Sequence, residues 1–317
     1  MKNAIKVLWL VIAGTLIFGL VLMAIGFAAG ATPHLRVTPQ GVKLVGDHPS
    51  SFQKTEPNAA AFKNVEIDLP ATWTSITFEE SDHYGYAINI PTDSSYQLSD
   101  AVEGDTLRIG QERDLGYWGD LNLNWSGLNS LVNGWADNTQ QGTIVVSVPK
   151  GTQLDTVSLK LAAGRYVIGP VTARDVSVSC PAGETKISKI SATKVDLDVA
   201  GGSMRATGIK ADILTGSLSA GELYVLETDA RMVSLDGSAG HLRFSGDATE
   251  QLGVELSAGS AELDLARPRN AYALTTDVSA GSIRVNGESI GGLREIDPEL
   301  TPLNARTSAG TINLSFQ

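Results

Sequence analysis

Glycine recurs at Gly164, Gly183, Gly202, Gly221, Gly240 and Gly259, each 19 residues after the last and each preceded by Ala or Gly. A fixed period of this length marks a chain built from like units that bury their apolar faces only by stacking on one another. Columns counted from the glycine show what each unit builds. Seven residues before it stand Val157, Val176, Val195, Leu214, Val233 and Leu252, and three before it Leu161, Cys180, Val199, Leu218, Gly237 and Leu256. Between these inward columns lies a polar one, Lys160, Ser179, Asp198, Ser217, Asp236 and Glu255. Such alternation is that of a half-buried strand.

After the glycine, Ile168, Ile187, Ala206, Val225, Phe244 and Leu263 form an inward column beside an outward one of Val167, Lys186, Arg205, Tyr224, Arg243 and Glu262. Further on, Val171, Ile190 and Ile209 align, as do Ala173, Ala192, Ala211 and Ala230, which adds a third short strand or corner to each coil. The expectation is an all-β, single-stranded parallel β-helix, a β-solenoid of about 19 residues per coil. The strict six-residue spacing of the hexapeptide left-handed helix does not match. At the corner a residue without Cβ can take φ > 0 and let the next coil approach closely. Cys180, the one cysteine, falls in an inward column and reads as core.

Upstream, FKNVEIDLP, SITFEE, YGYAINI, DTLRIGQ and TIVVSVP also alternate, so the solenoid is expected to span 62–317, as a rod of roughly 55 Å at the usual strand spacing. An insertion over 114–141 breaks the rhythm. Residues 30–61 mix Pro, Gly, Ser and charge, as a linker or N-terminal cap would. Val7 to Ala29 contains no charged residue and is long enough as a helix to cross a bilayer. Lys2 and Lys6 in the short segment 1–6 place the N-terminus in the cytoplasm and the solenoid outside. The competing reading, a signal peptide cut near Ala28 to Ala31, needs a shorter apolar core than this one.

The run from LDTVSLKLAAGRYVIGPVTARDVSVSCPAGETKISKISATKVDLDVAGGS onward, preceded by IVVSVPKGTQL, resembles the bacterial putative-adhesin family, a domain of unknown function in envelope proteins. The resemblance covers roughly Phe62 to Gln317. It implies a β-solenoid, often attached to a membrane segment, and supplies no site residues, because no shared catalytic motif describes the family.

Function is less legible than fold. Without Lys2 and Lys6 the chain carries 22 basic against 35 acidic residues, a formal charge near −13 that disfavours nucleic acid and anionic surfaces as partners. The insertion holds Tyr117, Trp118, Trp125 and Trp135 among Asn and Gly, a composition suited to stacking on a wall polymer, docking a protein or resting on a membrane, and equally to covering one face of the solenoid. His34, His48, His83 and His241 are scattered, no nucleophile or phosphate-loop motif occurs, and no cofactor or metal is expected. Asp196, Asp198, Asp236 and Glu255 are the carboxylates an outer sheet face would present if this were a polysaccharide-acting enzyme, but Lys160, Ser179 and Ser217 share their column, as on a solvated face. The closing TSAGTINLSFQ ends in a strand pattern, which points to self-association through a solenoid end unless the edge is covered. The expected role is therefore a non-enzymatic, membrane-anchored scaffold or adhesin-like protein of the bacterial envelope. A regulatory protein of an envelope-stress system, bound to a membrane protein, is the alternative.

Overall fold

The computed structural model describes residues 34–38, 41–45, 50–69, 72–92, 98–111, 119–122 and 141–317. The apolar run at 7–29 lies outside them, and among the described residues no helix is long and apolar enough to cross a membrane. The chain forms two compact units. In the smaller one, His34–Thr38 pairs antiparallel with Gly41–Val45 on one side and with Gly119–Asn122, from within the insertion, on the other.

The larger unit is all-β, a solenoid-like stack whose parallel pairing follows the 19-residue period residue by residue. Glu184 pairs with Ser203 and Ser203 with Glu222; Val195 pairs with Leu214 and Leu214 with Val233. Between neighbouring coils the ladder breaks at Lys189 opposite Gly208 and at Thr193 opposite Asp212, dividing each turn into short segments. The inward columns form the core: Val157, Val176, Val195, Leu214, Val233 and Leu252 are at most 2% exposed, and Cys180 is fully buried. Each such Leu or Val removed from water contributes roughly 1.5–3 kcal/mol, but only when a coil lies on both sides of it.

The glycine column sets how closely the coils stack. A Cβ built on Gly183, Gly202, Gly221, Gly240 or Gly259 would run into the carbonyl oxygen of the glycine one coil earlier. The conformation is less uniform than the sequence implied. Gly221 has φ +110°, and Gly183, Gly240 and Gly259 are likewise positive, whereas Gly164 and Gly202 are not and are required for space alone. A second corner precedes the third segment of the coil: Lys189, Gly208 and Glu227, again 19 apart, take φ of 57°, 74° and 53°.

Two stretches depart from simple succession. Upstream, Asn64–Leu69 and Trp73–Ser81 pair in parallel with Leu154–Leu161 and Gly164–Ile168, but Gly85–Thr92 and Leu98–Glu103 join antiparallel, so this region is a mixed sheet. Ser50–Glu56, in the stretch read as a linker or N-terminal cap, is also a strand of this sheet. At the other end, the final strand Thr301–Phe316 is not the last rung. It lies between His241–Leu265 and the pair Tyr272–Val278 and Ser282–Val285, parallel to both. The rung beyond it is covered: Glu288–Ile290 pairs antiparallel with Ser282–Val285, and Thr276 and Leu274 exchange backbone hydrogen bonds with Leu293 and Glu295. The free C-terminal edge expected from TSAGTINLSFQ is therefore absent, because that segment is paired on both sides.

Gly221→Val should cost about 3 kcal/mol or more, since it adds a backbone clash to a left-handed conformation, while Cys180→Val, an apolar swap that suits the Val and Leu of its column, should cost under about 1.5 kcal/mol. Gly202→Val should also destabilise, through the clash alone. Equal thermal midpoints for the three variants would contradict the stacking account. Glu227→Gly should act oppositely. An exposed side chain held at φ 53° stores about 1 kcal/mol that glycine releases, raising the midpoint by a few degrees in differential scanning calorimetry.

Candidate functional surfaces

With like positions stacked in columns, the outer surface is a set of parallel stripes, and the partners of each outward residue stand one rung above and below it. In the acidic stripe Asp198 accepts hydrogen bonds from Ser217 at 2.7 Å and Ser179 at 3.2 Å, and Asp196 accepts one from Thr215 at 2.9 Å. Glu255 is held by Arg306 at 2.9 Å. Three of the four carboxylates are thus engaged with neighbouring rungs. Asp236 lies directly opposite Glu255 in the ladder, and partial burial, followed by the charge of Glu255, pushes its carboxyl above the ordinary aspartate value. Among the described residues no three His, Cys, Asp or Glu side chains form a group that could hold a metal ion.

On the next side of the coil, Ala192, Ala211 and Ala230 floor an open trough of about 340 Å³, with Ser191, Lys210 and Asp229 along one wall and Thr193, Asp212, Arg231 and Thr249 along the other. The sequence showed the alanine column but not that its flanks form walls. Arg231 spans one of them, pairing with Glu250 at 2.7 Å and Asp212 at 3.8 Å. The remaining side carries a mixed stripe in which the Arg205 guanidinium stacks 4.4 Å from the Tyr224 ring centre, Tyr224 meets His241 edge-on, and His241 Nδ1 lies 2.8 Å from the Ser260 hydroxyl. Lys186 on the same stripe pairs with Glu184 at 2.6 Å, and that contact chiefly holds the Glu184 carboxyl below its usual value.

The remaining sequence candidates separate. Tyr117, Trp118, Trp125 and Trp135 lie outside the described residues. His83 sits in an exposed turn, far along the chain from His241 on its stripe. The Cys180 thiol donates to the Ala182 carbonyl at 3.2 Å, and burial pushes it up, so it packs as the core residue it was read to be.

One cluster had no sequence signal. Arg267 donates to Asp247 at 2.6 Å, to Thr301 at 3.2 Å and to the Ala248 carbonyl, and stacks on Tyr272, whose hydroxyl donates to Asp247 at 3.1 Å. Arg269 grips Glu295 through two bonds of 2.7 and 2.8 Å and donates to the Tyr272 carbonyl. Burial, then the charge of Asp247, pushes the Tyr272 hydroxyl up to about 12, while Arg269 and the Leu274 N–H hold Glu295 below its usual range. The cluster ties together segments far apart in the chain where the order of rungs changes.

A family model described as Toastrack DUF4097 matches residues 63–315, the stretch that carries the resemblance found in the sequence. No curated protein matches. Solved structures that match include a putative adhesin from Bacteroides fragilis, 14% identical, covering 84% of this chain and 97% of that one with a TM-score of 0.48. A putative lipid binding protein from Parabacteroides distasonis is also 14% identical, over 84% and 96%, with a TM-score of 0.49. A putative adhesin from Parabacteroides merdae is 13% identical, over 84% and 95%, with a TM-score of 0.47.

Asp236→Asn should raise the thermal midpoint at pH 7, where the carboxylate is charged beside Glu255. Because its folded pKa is raised, the native state holds this proton more tightly and wild-type stability falls as pH rises through the interval between the unfolded and folded values. The gain from Asn should therefore vanish below the ordinary aspartate range, near 3.8 and under. Melting curves at both pH values read the difference.

Proposed function

We propose that this chain, which belongs to the Toastrack family DUF4097, is a non-enzymatic scaffold of the bacterial cell envelope, anchored by a single span at Val7–Ala29 and presenting its solenoid outside the membrane. The observation that carries the reading is the in-register stacking of the coils. It fixes outward side chains in columns with about 4.8 Å between successive rungs, a repetitive and rigid surface suited to contacting an extended partner. The uncharged N-terminal run and the lysines before it support the anchor and its direction. The engagement of Asp196, Asp198 and Glu255 with neighbouring rungs supports presentation over catalysis, because an acid–base pair needs groups free to exchange protons with a substrate. The partner is a cell-wall polymer, met through the aromatic residues of the insertion.

Two measurements test this on the full-length protein. Protease added outside spheroplasts should digest the solenoid and leave a small membrane-embedded fragment; a protected solenoid would overturn the placement. Detergent-solubilised protein should sediment with purified cell walls, and a Trp118→Ala, Trp125→Ala, Trp135→Ala triple variant with an unchanged melting curve should lose most of that binding. Failure of the wild type to sediment, together with in-cell cross-links to a membrane protein, would replace the wall-polymer reading with the regulatory one.

A further inference from the structure

The C-terminal strand occupies a place that another part of the chain is built to fill. Across the three last rungs the columns read Leu252, Leu303, Leu274; then Val254, Ala305, Thr276; then Ala261, Ile312, Ile283; then Leu263, Leu314, Val285. Gly281 abuts the backbone of Gly310, and Gly310 that of Gly259, so the glycine column also passes through all three. The outermost rung and the inserted strand are thus two copies of one repeat in one register, and either matches the rung at 252–265. The spacing records the inversion. Gly281 follows Gly259 by 22 residues instead of 19, so three extra residues accompany a climb of two rungs, and Gly310 follows Gly281 by 29.

We propose that Thr301–Phe316 is a latched, displaceable rung: the fold has a second closed arrangement in which 272–285 steps down onto 252–265 and the C-terminal strand is released. In that arrangement Leu274 lies over Leu252, Val278 over Leu256 and Val285 over Leu263, and Gly281 meets Gly259, so the apolar columns and the close glycine approach are kept. What is given up is the burial of Leu303, Ile312 and Leu314, which makes the inserted state the ground state. The Arg267 and Arg269 cluster is the latch. Arg267 ties the inserted strand, at Thr301, to Asp247, and the Arg269 guanidinium lies 5.8 Å from the centre of the Phe316 ring at the other end of that strand. Breaking it, or capturing the released strand on another β-edge, shifts the balance by the difference in contacts between the two states.

Disulfide trapping in a Cys180→Val background separates the arrangements. Glu262, Asn313 and Arg284 share one outward column, with Asn313 between the other two. Neighbouring rungs place Cα atoms within disulfide reach and rungs two apart do not. Glu262→Cys with Asn313→Cys should cross-link readily in the full chain. Glu262→Cys with Arg284→Cys should cross-link only slowly there, severalfold faster with Arg269→Ala, and fully in a chain ending at Leu300, which should keep a cooperative melt. A chain ending at Leu300 that unfolds, or that stays folded without the 262–284 bond, overturns the proposal, as does a 262–284 rate unmoved by Arg269→Ala. None of these outcomes depends on where the protein resides or what it binds.

Discussion

The close approach of backbone to backbone at the glycine corner is the contact on which the stack depends. A parallel ladder needs rungs about 4.8 Å apart along its whole length, and at a corner the chain turns out of the ladder while the rung above must still follow it. With a carbonyl oxygen already inside the volume a Cβ would occupy, any side chain there would have to lift one rung from the next. Lifting a rung at one corner weakens the hydrogen bonds on both adjoining sides, so a local steric rule becomes a condition on the whole coil. The inward columns then follow, since a Val or Leu is buried only if the coils above and below stay at that spacing.

Stacking like positions has an electrostatic consequence on the outside. A repeat copied without change would place identical charges one rung apart along every stripe, which is unfavourable when they lie directly opposite. The stripes instead alternate carboxylates with hydroxyls, as in Ser179, Asp198 and Ser217, or with cations, as in Asp212, Arg231 and Glu250. Like charges still lie opposite each other at Lys186 and Arg205, Asp229 and Asp247, and Asp236 and Glu255; burial, then the charge of Glu255, raises the Asp236 carboxyl pKa. Drift of the outward residues away from a strict repeat keeps such pairs few, while the inward residues and the glycine corner keep the period.

That division explains what could be read from the sequence. The glycine period located the coil, its strands and the core position of Cys180, because these are fixed by space and burial, which constrain residue type. A third strand or corner was legible in each coil, but its left-handed turn at Lys189, Gly208 and Glu227 was not, because only one of the three is a residue that favours that backbone; the others are held there by the ladders on either side. The inverted order of the last rungs was invisible for the opposite reason. Both copies fit the repeat equally well, so residue pattern could not rank them, and only the lengthened glycine spacings hinted that the chain does more than climb one rung. Asp198, Asp236 and Glu255 were visible as a column, with Asp196 in the next outward one, but their hydroxyl and arginine partners come from neighbouring coils and could be assigned only once the register was known.

The inversion also answers the problem that every open stack of strands faces at its ends. A terminal rung exposes unpaired N–H and C=O groups to any passing strand. Tucking Thr301–Phe316 one rung inward holds the terminal strand from both sides, and it moves the outermost position to a segment whose edge is covered by its own continuation, Glu288–Ile290 and the bonds from Leu293 and Glu295. The arrangement needs a chain long enough to pass over one rung and return, together with contacts that favour it over simple stacking. The extra residues between Gly259 and Gly281 meet the first condition, and the burial of Leu303, Ile312 and Leu314 with the arginine contacts to Thr301 and Phe316 meets the second.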